Sequence, residues 1–349
     1  MIETNYKDIF QIDKNKLDEI DTEIYQLLEF WKSNKNEILV NTSGSTGKPK
    51  EIKISREQLI NSSKTTLRYF NLKENTTFLN CLPVKYIGGK MMIIRGIIGK
   101  ANIVLCKPSV NPIKKLHRKI DFMAITPLQL DNLLKNITIF SKIRLTIVGG
   151  GEVSERLIKN LQNIPYDCYQ TYGMTETISH IAVRDLKKYT ENQYYKCLEN
   201  NSVTTNSKDQ LVINSKHLKI SSLTTNDIAK VFGNKHFKIK GRIDNIINSG
   251  GFKVSSESIE ELLNKTFQNK LFFIDKTKCE KLGEKIILIA DEEINLEELV
   301  ISIQKIKDKK KRPKEIYFTN HFFYSENQKI DRQKTKIKAL TSNIIYKLN

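Results

Sequence analysis

Apolar residues recur at helical spacing from about Leu17 to Trp31 (Leu17, Ile20, Ile24, Leu27, Leu28, Trp31), which predicts a helix there. A short apolar run, Ile38–Val40, predicts a strand and is followed by a loop of Gly, Ser and Thr. Beyond it, strands over Phe78–Leu82, Ala101–Leu105, Phe122–Ile125 and Leu145–Val148 alternate with helices over Leu128–Leu134 and Ser154–Leu161. Alternation of this kind builds an α/β domain around a substantial sheet. Residues 203–240 read as β-rich, with strands over Leu211–Ile213 and Ile228–Phe232. Past a boundary near Gly241–Asp244 come a Gly-Gly turn, an acidic helix over Ser256–Leu263 and short strands such as Lys285–Ala290. The expected architecture is a large α/β N-terminal domain over residues 1–240 and a small α+β C-terminal domain over residues 241–349, joined by a hinge.

The chain has 349 residues, and at about 150 residues per domain that length agrees with two domains. The longest apolar stretch, Met91–Ile98, is interrupted by Arg95, and no run approaches the ~20 residues that span a bilayer, so no membrane span is expected. The start, Met-Ile-Glu-Thr-Asn, lacks a basic, then apolar segment, and no secretory signal is expected. Net charge is +19, but 48 of the 58 basic residues are Lys, spread evenly. Such Lys is mostly solvated surface. It also favours small anionic substrates. Nucleic-acid readers cluster Arg and aromatics, and the densest basic run, Lys305–Lys314, carries no such motif, so no nucleic-acid partner is expected. The five cysteines lack CxxC spacing and the five histidines lack HxxxH spacing. Zinc and disulfide frameworks are therefore not expected, and reduced thiols in a cytoplasmic protein are the simplest reading. The oligomeric state stays open, a homo-oligomer included.

Four segments carry candidate chemistry. Asn41-Thr42-Ser43-Gly44-Ser45-Thr46-Gly47-Lys48-Pro49-Lys50 packs hydroxyls and glycines after a strand, which lets backbone N–H groups approach an anion. It does not fit GxxxxGK[ST], so a Walker-type NTPase is disfavoured. Gln170-Thr171-Tyr172-Gly173-Met174-Thr175-Glu176-Thr177 offers an aromatic face for a base and a carboxylate for Mg²⁺ within five residues. Lys240-Gly241-Arg242-Ile243-Asp244-Asn245, with Ser249-Gly250-Gly251-Phe252 after it, reads by itself as a hairpin with a Gly-Gly turn. Gln328-Lys329-Ile330-Asp331-Arg332 reads by itself as a charged loop.

Together and in this order, these segments resemble the adenylate-forming superfamily of acyl- and aryl-CoA synthetases, adenylation domains and luciferases. The first matches its TSGTTGxPK phosphate loop, with Ser45 replacing a Thr. The second matches YGMTE, the third the GRxD hinge, and the fourth a GKxxR motif with Gln328 where Gly is usual. The resemblance covers about residues 38–335. It implies a truncated adenylate-forming fold that uses ATP, Mg²⁺ and CoA. It also implies that Thr42, Ser43, Gly44, Ser45, Thr46, Gly47 and Lys50 hold the β- and γ-phosphates, and that Tyr172 and Gly173 meet adenine near Gly149, Gly150 and Gly151. Thr175 would contact the α-phosphate and Glu176 would hold Mg²⁺. Asp227 and Arg242 would hold the ribose, Asp244 would be the hinge, and Gly250 and Gly251 would border the CoA channel. Lys329 would bridge the acyl carboxylate and the α-phosphate.

About forty residues precede the phosphate loop, where relatives place well over a hundred, so a shortened N-terminal region is expected. Leu82-Pro83-Val84-Lys85-Tyr86-Ile87-Gly88-Gly89-Lys90 is similar to the LPLFHxSG segment of o-succinylbenzoate–CoA ligases of menaquinone synthesis, with Tyr86 in place of His. It looks most like their short, Bacteroidetes-type members. That substrate is a dianion. Lys90 and Arg95 are the candidate cations for the carboxylate that does not react, with Tyr86, Ser179 and His180 lining the same pocket. The alternatives are another aryl- or acyl-acid CoA ligase, a stand-alone adenylation enzyme, or, more remotely, a binding protein on this fold.

Overall fold

The computed structural model describes residues 1–41, 50–113, 116–162, 164–188, 194–267, 270–324, 330–341 and 345–348. The chain divides into two compact units: residues 1–203, 213–223 and 231–237 form the first, and residues 204–212, 224–230 and 238–349 the second.

The first unit is built on strands β1 (Ile2–Asn5), β2 (Glu37–Asn41), β3 (Glu51–Ser55), β4 (Thr77–Asn80), β5 (Asn102–Leu105), β6 (Ile120–Ile125), β7 (Ile143–Val148), β8 (Asp167–Gly173), β9 (His180–Asp185) and β10 (Tyr195–Cys197). β2 and β3 pair only with each other. The rest order as β1-β5-β4-β6-β7-β8-β9-β10, with β5, β4, β6, β7 and β8 mutually parallel and β1 and β9 antiparallel at their flanks. The expected α/β pattern is thus found. Alternate residues feed opposite faces, as period two requires. Phe78, Phe122, Ala124, Leu145 and Ile147 enter one apolar cluster, and Leu79, Met123, Ile125 and Val148 another. The chain runs from β4 outward to β5 and returns to the other side of β4 as β6. In parallel α/β sheets the crevice beyond the strands' carboxyl ends, at such a reversal, is where ligands bind. The loops after β4, β6, β7 and β8 all leave from that edge.

The helices of this unit start where their caps dictate. Ser55 and Gln58 form a capping box that opens the helix Arg56–Tyr69, and Thr126 and Gln129 form another for Pro127–Leu134. The single helix expected over Leu17–Trp31 is two, Lys14–Asp18 and Glu23–Lys32. Asp21 is the physical reason. One carboxylate oxygen accepts from Glu23 N (3.0 Å) and the other from Val84 N (2.7 Å), which starts the second helix and ties it to the loop after β4.

In the second unit, β11 (Asn201–Thr205), β12 (Gln210–Ser215), β13 (Ile220–Phe232) and β14 (His236–Arg242) contribute their segments within 204–212, 224–230 and 238–242. A second sheet follows from β15 (Ile246–Ser249), β16 (Phe252–Ser255), β17 (Phe272–Cys279), β18 (Gly283–Asp291), β19 (Glu315–Thr319) and β20 (Ile345–Lys347), ordered β16-β15-β18-β19-β20 with β17 also on β18. Helices Ser256–Asn264 and Leu296–Gln304 pack their apolar residues into its core. The Gly-Gly turn between β15 and β16 is present. Gly250 (φ 59°) and Gly251 (φ 82°) are both left-handed, as a two-residue hairpin turn requires.

The helix Ile87–Ile98 follows β4 and opens with two glycines. Gly89 is obligatory there, because a Cβ would lie 2.4 Å from the Pro83 carbonyl oxygen. Gly89→Ala is expected to cost ~2 kcal/mol or more through this overlap, read from the urea midpoint. An unchanged midpoint would contradict the close approach.

Candidate active site

The carboxyl ends of β7 and β8 hold two of the sequence motifs. After β7, Gly149 packs so closely that a Cβ would meet Thr171 Oγ1 at 2.8 Å. Gly150 is left-handed at φ 80°, and Gln170 Nε2 donates to the Gly151 carbonyl (3.1 Å). Gln170 is buried and is held in turn by Arg184, whose Nε donates to its Oε1 at 2.8 Å. The Tyr172 ring is half-buried, edge-on to Phe237 (5.1 Å between centroids) and tilted against Tyr195 (5.7 Å).

At the end of β8 the pairing with β9 breaks between Tyr172 and Gly173. A Cβ on Gly173 would sit 2.2 Å from the Ser179 carbonyl oxygen, so only glycine fits. Thr175–Thr177 then makes a single helical turn, with Thr175 buried and Glu176 exposed. Thr177 Oγ1 accepts from Met174 N (2.9 Å) and donates to the Ser179 carbonyl (2.7 Å). Ile178 closes the segment at φ 64°, ψ −41°, with Ser179 N donating to the Thr177 carbonyl (2.6 Å). This is a three-residue γ-turn centred on a buried β-branched residue. Such a conformation is strained and persists only where its surroundings impose it. It turns the chain so that Ser179 leads into β9 at His180.

Ser179 and His180 meet the helices Arg56–Tyr69 and Ile87–Ile98 in a buried polar cluster. Arg95 is 1% exposed. Its Nη2 donates to Ser179 Oγ at 2.6 Å, Nη1 lies 4.0 Å from Met92 Sδ, and Nε has no acceptor among the described residues. Among the described residues no carboxylate pairs with it. Burial pulls the guanidinium down to about 9, which still leaves it charged at neutral pH. His180 is also buried, with Nδ1 3.4 Å from Ser179 Oγ and Nε2 3.1 Å from Thr66 Oγ1. Burial first, and the Arg95 charge second, hold its pKa well below the usual histidine value.

Lys90 differs from the solvated helix lysine of a simple reading. It is 5% exposed, and its Nζ lies 3.7 Å from Glu23 Oε2. Burial lowers its pKa, with Glu23 working against that. Its charge is thus already met by Glu23, whereas among the described residues no carboxylate meets that of Arg95. Tyr86 is half-buried and precedes the same helix, its ring 5.8 Å from Lys85 Nζ.

The remaining motif residues lie in other places. Thr42, Ser43, Gly44, Ser45, Thr46 and Gly47 fall outside the described residues. Their flanks are held together where Asn41 pairs with Glu51 across β2 and β3, with Lys50 exposed just before β3. In the second unit, Arg242 Nη1 donates to buried Asp227 (3.1 Å) and Nη2 to Asp244 (3.0 Å), and Asn226 Nδ2 donates to Asp244 (3.1 Å). Three residues singled out from the GRxD motif and Thr-Thr-Asn-Asp are therefore one cluster. Lys329 lies outside the described residues. Just beyond it, Asp331 N donates to the Phe323 carbonyl (2.8 Å), and Arg332 makes a two-pronged pair with Glu260 (2.9 and 2.9 Å).

Sequence reading missed Thr66, Glu23 and Ile178. For Thr66 a signal existed. The helix Arg56–Tyr69 carries Ser62, Ser63, Thr65 and Thr66, all buried, and a run of small hydroxyls on a buried helix face calls for polar partners. Glu23 and Ile178 gave none.

A family model described as AMP-binding enzyme matches residues 14–200, and the chain belongs to this family, within the adenylate-forming superfamily. The 2-succinylbenzoate–CoA ligase of Lactococcus lactis is 23% identical, over 95% of this chain and 83% of its own. Other relatives of that name match over 41% of this chain and 31% of their own length. Among solved structures, an AMP-forming acyl-CoA synthetase/AMP-acid ligase II-like protein from Dyadobacter fermentans is 29% identical with a TM-score of 0.64, covering 97% of this chain and 99% of its own. The o-succinylbenzoate CoA synthetase of Bacillus subtilis, solved with ATP and magnesium, is 18% identical with a TM-score of 0.74, covering 91% of this chain and 78% of its own. The fold is that of adenylate-forming enzymes.

The donors suit a magnesium ion carried by a nucleotide. Among the described residues no three His, Cys, Asp or Glu side chains could cage a metal, and Glu176 is an exposed single carboxylate. Mg²⁺ is commonly held by one or two carboxylates together with substrate phosphates. Among the described residues no helix is long and apolar enough to cross a membrane.

The depressed His180 pKa sets a pH dependence. In the unfolded chain it titrates near 6.5, so between that value and the lower folded value the unfolded state binds more protons. Stability is therefore lost as pH falls below about 6.5, at up to ~1.4 kcal/mol per pH unit. Urea midpoints at pH 7.5 and 5.5 are expected to show a loss about 1 kcal/mol larger in the wild type than in His180→Gln. Equal losses would contradict a neutral buried imidazole.

Proposed function

We propose that this protein is an AMP-forming acid–CoA ligase whose substrate is an aromatic acid bearing a second carboxylate, o-succinylbenzoate, and that it works in menaquinone biosynthesis. The observation that carries the substrate class is Arg95, a buried guanidinium without a carboxylate partner among the described residues. A buried cation is costly until an anion meets it, and the second carboxylate of a dianionic acid supplies one. Arg95 rather than Lys90 takes this role, because Lys90 is paired with Glu23. The names of the curated relatives support the same acid.

In the first half-reaction the reacting carboxylate oxygen attacks the α-phosphorus of ATP, and pyrophosphate leaves. In the second, the sulfur of CoA attacks the acyl carbon and AMP leaves. The first step gathers anions, so positioning and charge neutralisation supply most of the catalysis. Residues 42–47 and Lys50 grip the β- and γ-phosphates. Tyr172 and Gly173 face the adenine beside Gly149–Gly151, and Thr175 meets the α-phosphate. Asp227 and Arg242 hold the ribose, since a carboxylate accepts from two vicinal hydroxyls. Glu176 would hold Mg²⁺, which supplies positive charge to the phosphates. Lys329 bridges the two reacting anions, residues 241–349 act as the mobile domain with Asp244 as its hinge, and Gly250 and Gly251 border the path of CoA.

Pyrophosphate release with ATP, Mg²⁺ and CoA, over o-succinylbenzoate and a panel of benzoates, cinnamates and fatty acids, tests the reading. Selective turnover of o-succinylbenzoate to its thioester is expected. Preference for a monocarboxylic acid would overturn the substrate while keeping the enzyme class. Arg95→Met should raise KM for the dicarboxylate by about 10²-fold, the loss of a charged hydrogen-bonded pair, and leave monocarboxylate KM nearly unchanged. Equal effects on both would remove Arg95 from acid recognition. Lys329→Ala should lose about 10²–10³-fold in acyl-adenylate formation and spare thiolysis of supplied acyl-adenylate. Parallel loss of both half-reactions would refute its role.

A further inference from the structure

Thr66 belongs to no motif, yet its hydroxyl touches the His180 ring beside the Arg95 cluster. Its Oγ1 stands 3.2 Å from the Ser62 carbonyl and 3.1 Å from His180 Nε2. A hydroxyl has one hydrogen and a neutral imidazole one N–H, so two arrangements compete. In the first, Thr66 donates to Nε2 and the imidazole hydrogen sits on Nδ1, aimed at Ser179 Oγ. That oxygen already accepts from Arg95 Nη2 at 2.6 Å, and the Ser179 hydrogen is then left with no acceptor among the described residues. In the second, Thr66 donates to Ser62 and accepts from Nε2–H. Nδ1 is then a bare acceptor for the Ser179 hydroxyl, 3.4 Å away. The Ser179, His180 and Thr66 side-chain hydrogens now all have acceptors, and the bonds run one way, from Arg95 through Ser179, His180 and Thr66 to the Ser62 carbonyl. A doubly protonated imidazole fails the same count, since Ser179 Oγ would again face two donors, beside a guanidinium charge.

We infer that Thr66 is a positioning residue: it fixes His180 as the Nε2–H tautomer and, through the Ser179 hydroxyl, sets which edge of Arg95 is offered to the second carboxylate of the acid. The part concerning the acid rests on the dicarboxylate reading above, whereas the tautomer does not. The Ser179 oxygen, spent as an acceptor from Nη2, holds that edge of the guanidinium inside the protein. Nε has no acceptor among the described residues and is left for a ligand oxygen.

The full chain labelled with ¹⁵N tests this, with the His180 signals assigned by their loss in His180→Gln. Wild type and Thr66→Ser are expected to show a protonated Nε2 and a bare Nδ1 at His180. Thr66→Val, of the same shape without the hydroxyl, is expected to show mixed tautomers. Its KM for o-succinylbenzoate should rise about tenfold, the effect of roughly one hydrogen bond, with kcat and KM for ATP nearly unchanged and Thr66→Ser restoring the wild-type value. A wild-type His180 protonated on Nδ1 overturns the inference, as does a valine variant that keeps the wild-type tautomer. A shifted tautomer with no change in KM overturns the positioning role. The spectrum needs no substrate, so a protein that activates only monocarboxylic acids would defeat the dicarboxylate reading, and the link to the second carboxylate with it, while the tautomer was judged separately.

Discussion

Removing a guanidinium from water costs several kcal/mol even after relaxation, and the first unit is arranged around that cost at Arg95. The helix carrying it is apolar on nearly every face, so the side chain cannot reach solvent. What it reaches instead is a short polar interior made of Ser179, His180 and Thr66. None of these is an anion, and His180 is held neutral by the same burial and by the same positive charge. The cluster therefore orients the cation without neutralising it. A carboxylate built into the protein would have given a more stable fold with no appetite for a ligand. The strained turn at Ile178 belongs to the same arrangement, since it delivers Ser179 and His180 to the cluster directly after the Thr175–Glu176 segment.

The sheet explains why the segments proposed to bind acid and nucleotide lie on one edge. Five parallel strands send their following loops the same way, and the reversal between β4 and β6 opens the crevice there. The loop after β4 leads into the Arg95 helix, the loop after β7 is the triple glycine, and the loop after β8 is the Tyr172–Glu176 segment. Close approach, rather than flexibility, sets the glycines at Gly89 and Gly173, each facing a carbonyl oxygen that no Cβ could clear.

Much of this was legible in the sequence. Short continuous apolar runs mark β4 to β7 because both faces of those strands are buried, and Gly250-Gly251 marks its hairpin because two adjacent glycines suit the left-handed turn there. Asp227, Arg242 and Asp244 were chosen from separate motifs and meet in one cluster. What failed to show was long-range. Apolar spacing over Leu17–Trp31 cannot reveal that Asp21 accepts from a backbone N–H more than sixty residues away and splits the helix. Nor can it show that Lys90 is paired with Glu23. Arg95 was ambiguous for a related reason: one charge in an apolar run reads equally as a solvated edge or a buried site, and only packing decides.

Asp21 and Glu23 give the N-terminal helices a wider significance. Through Val84 N and Lys90 they reach the loop and helix that follow β4. A change at either residue therefore reaches the segment that leads into the Arg95 helix. If Arg95 meets the acid as proposed, selectivity for the acid and handling of the nucleotide are written in different segments, which can diverge at different rates.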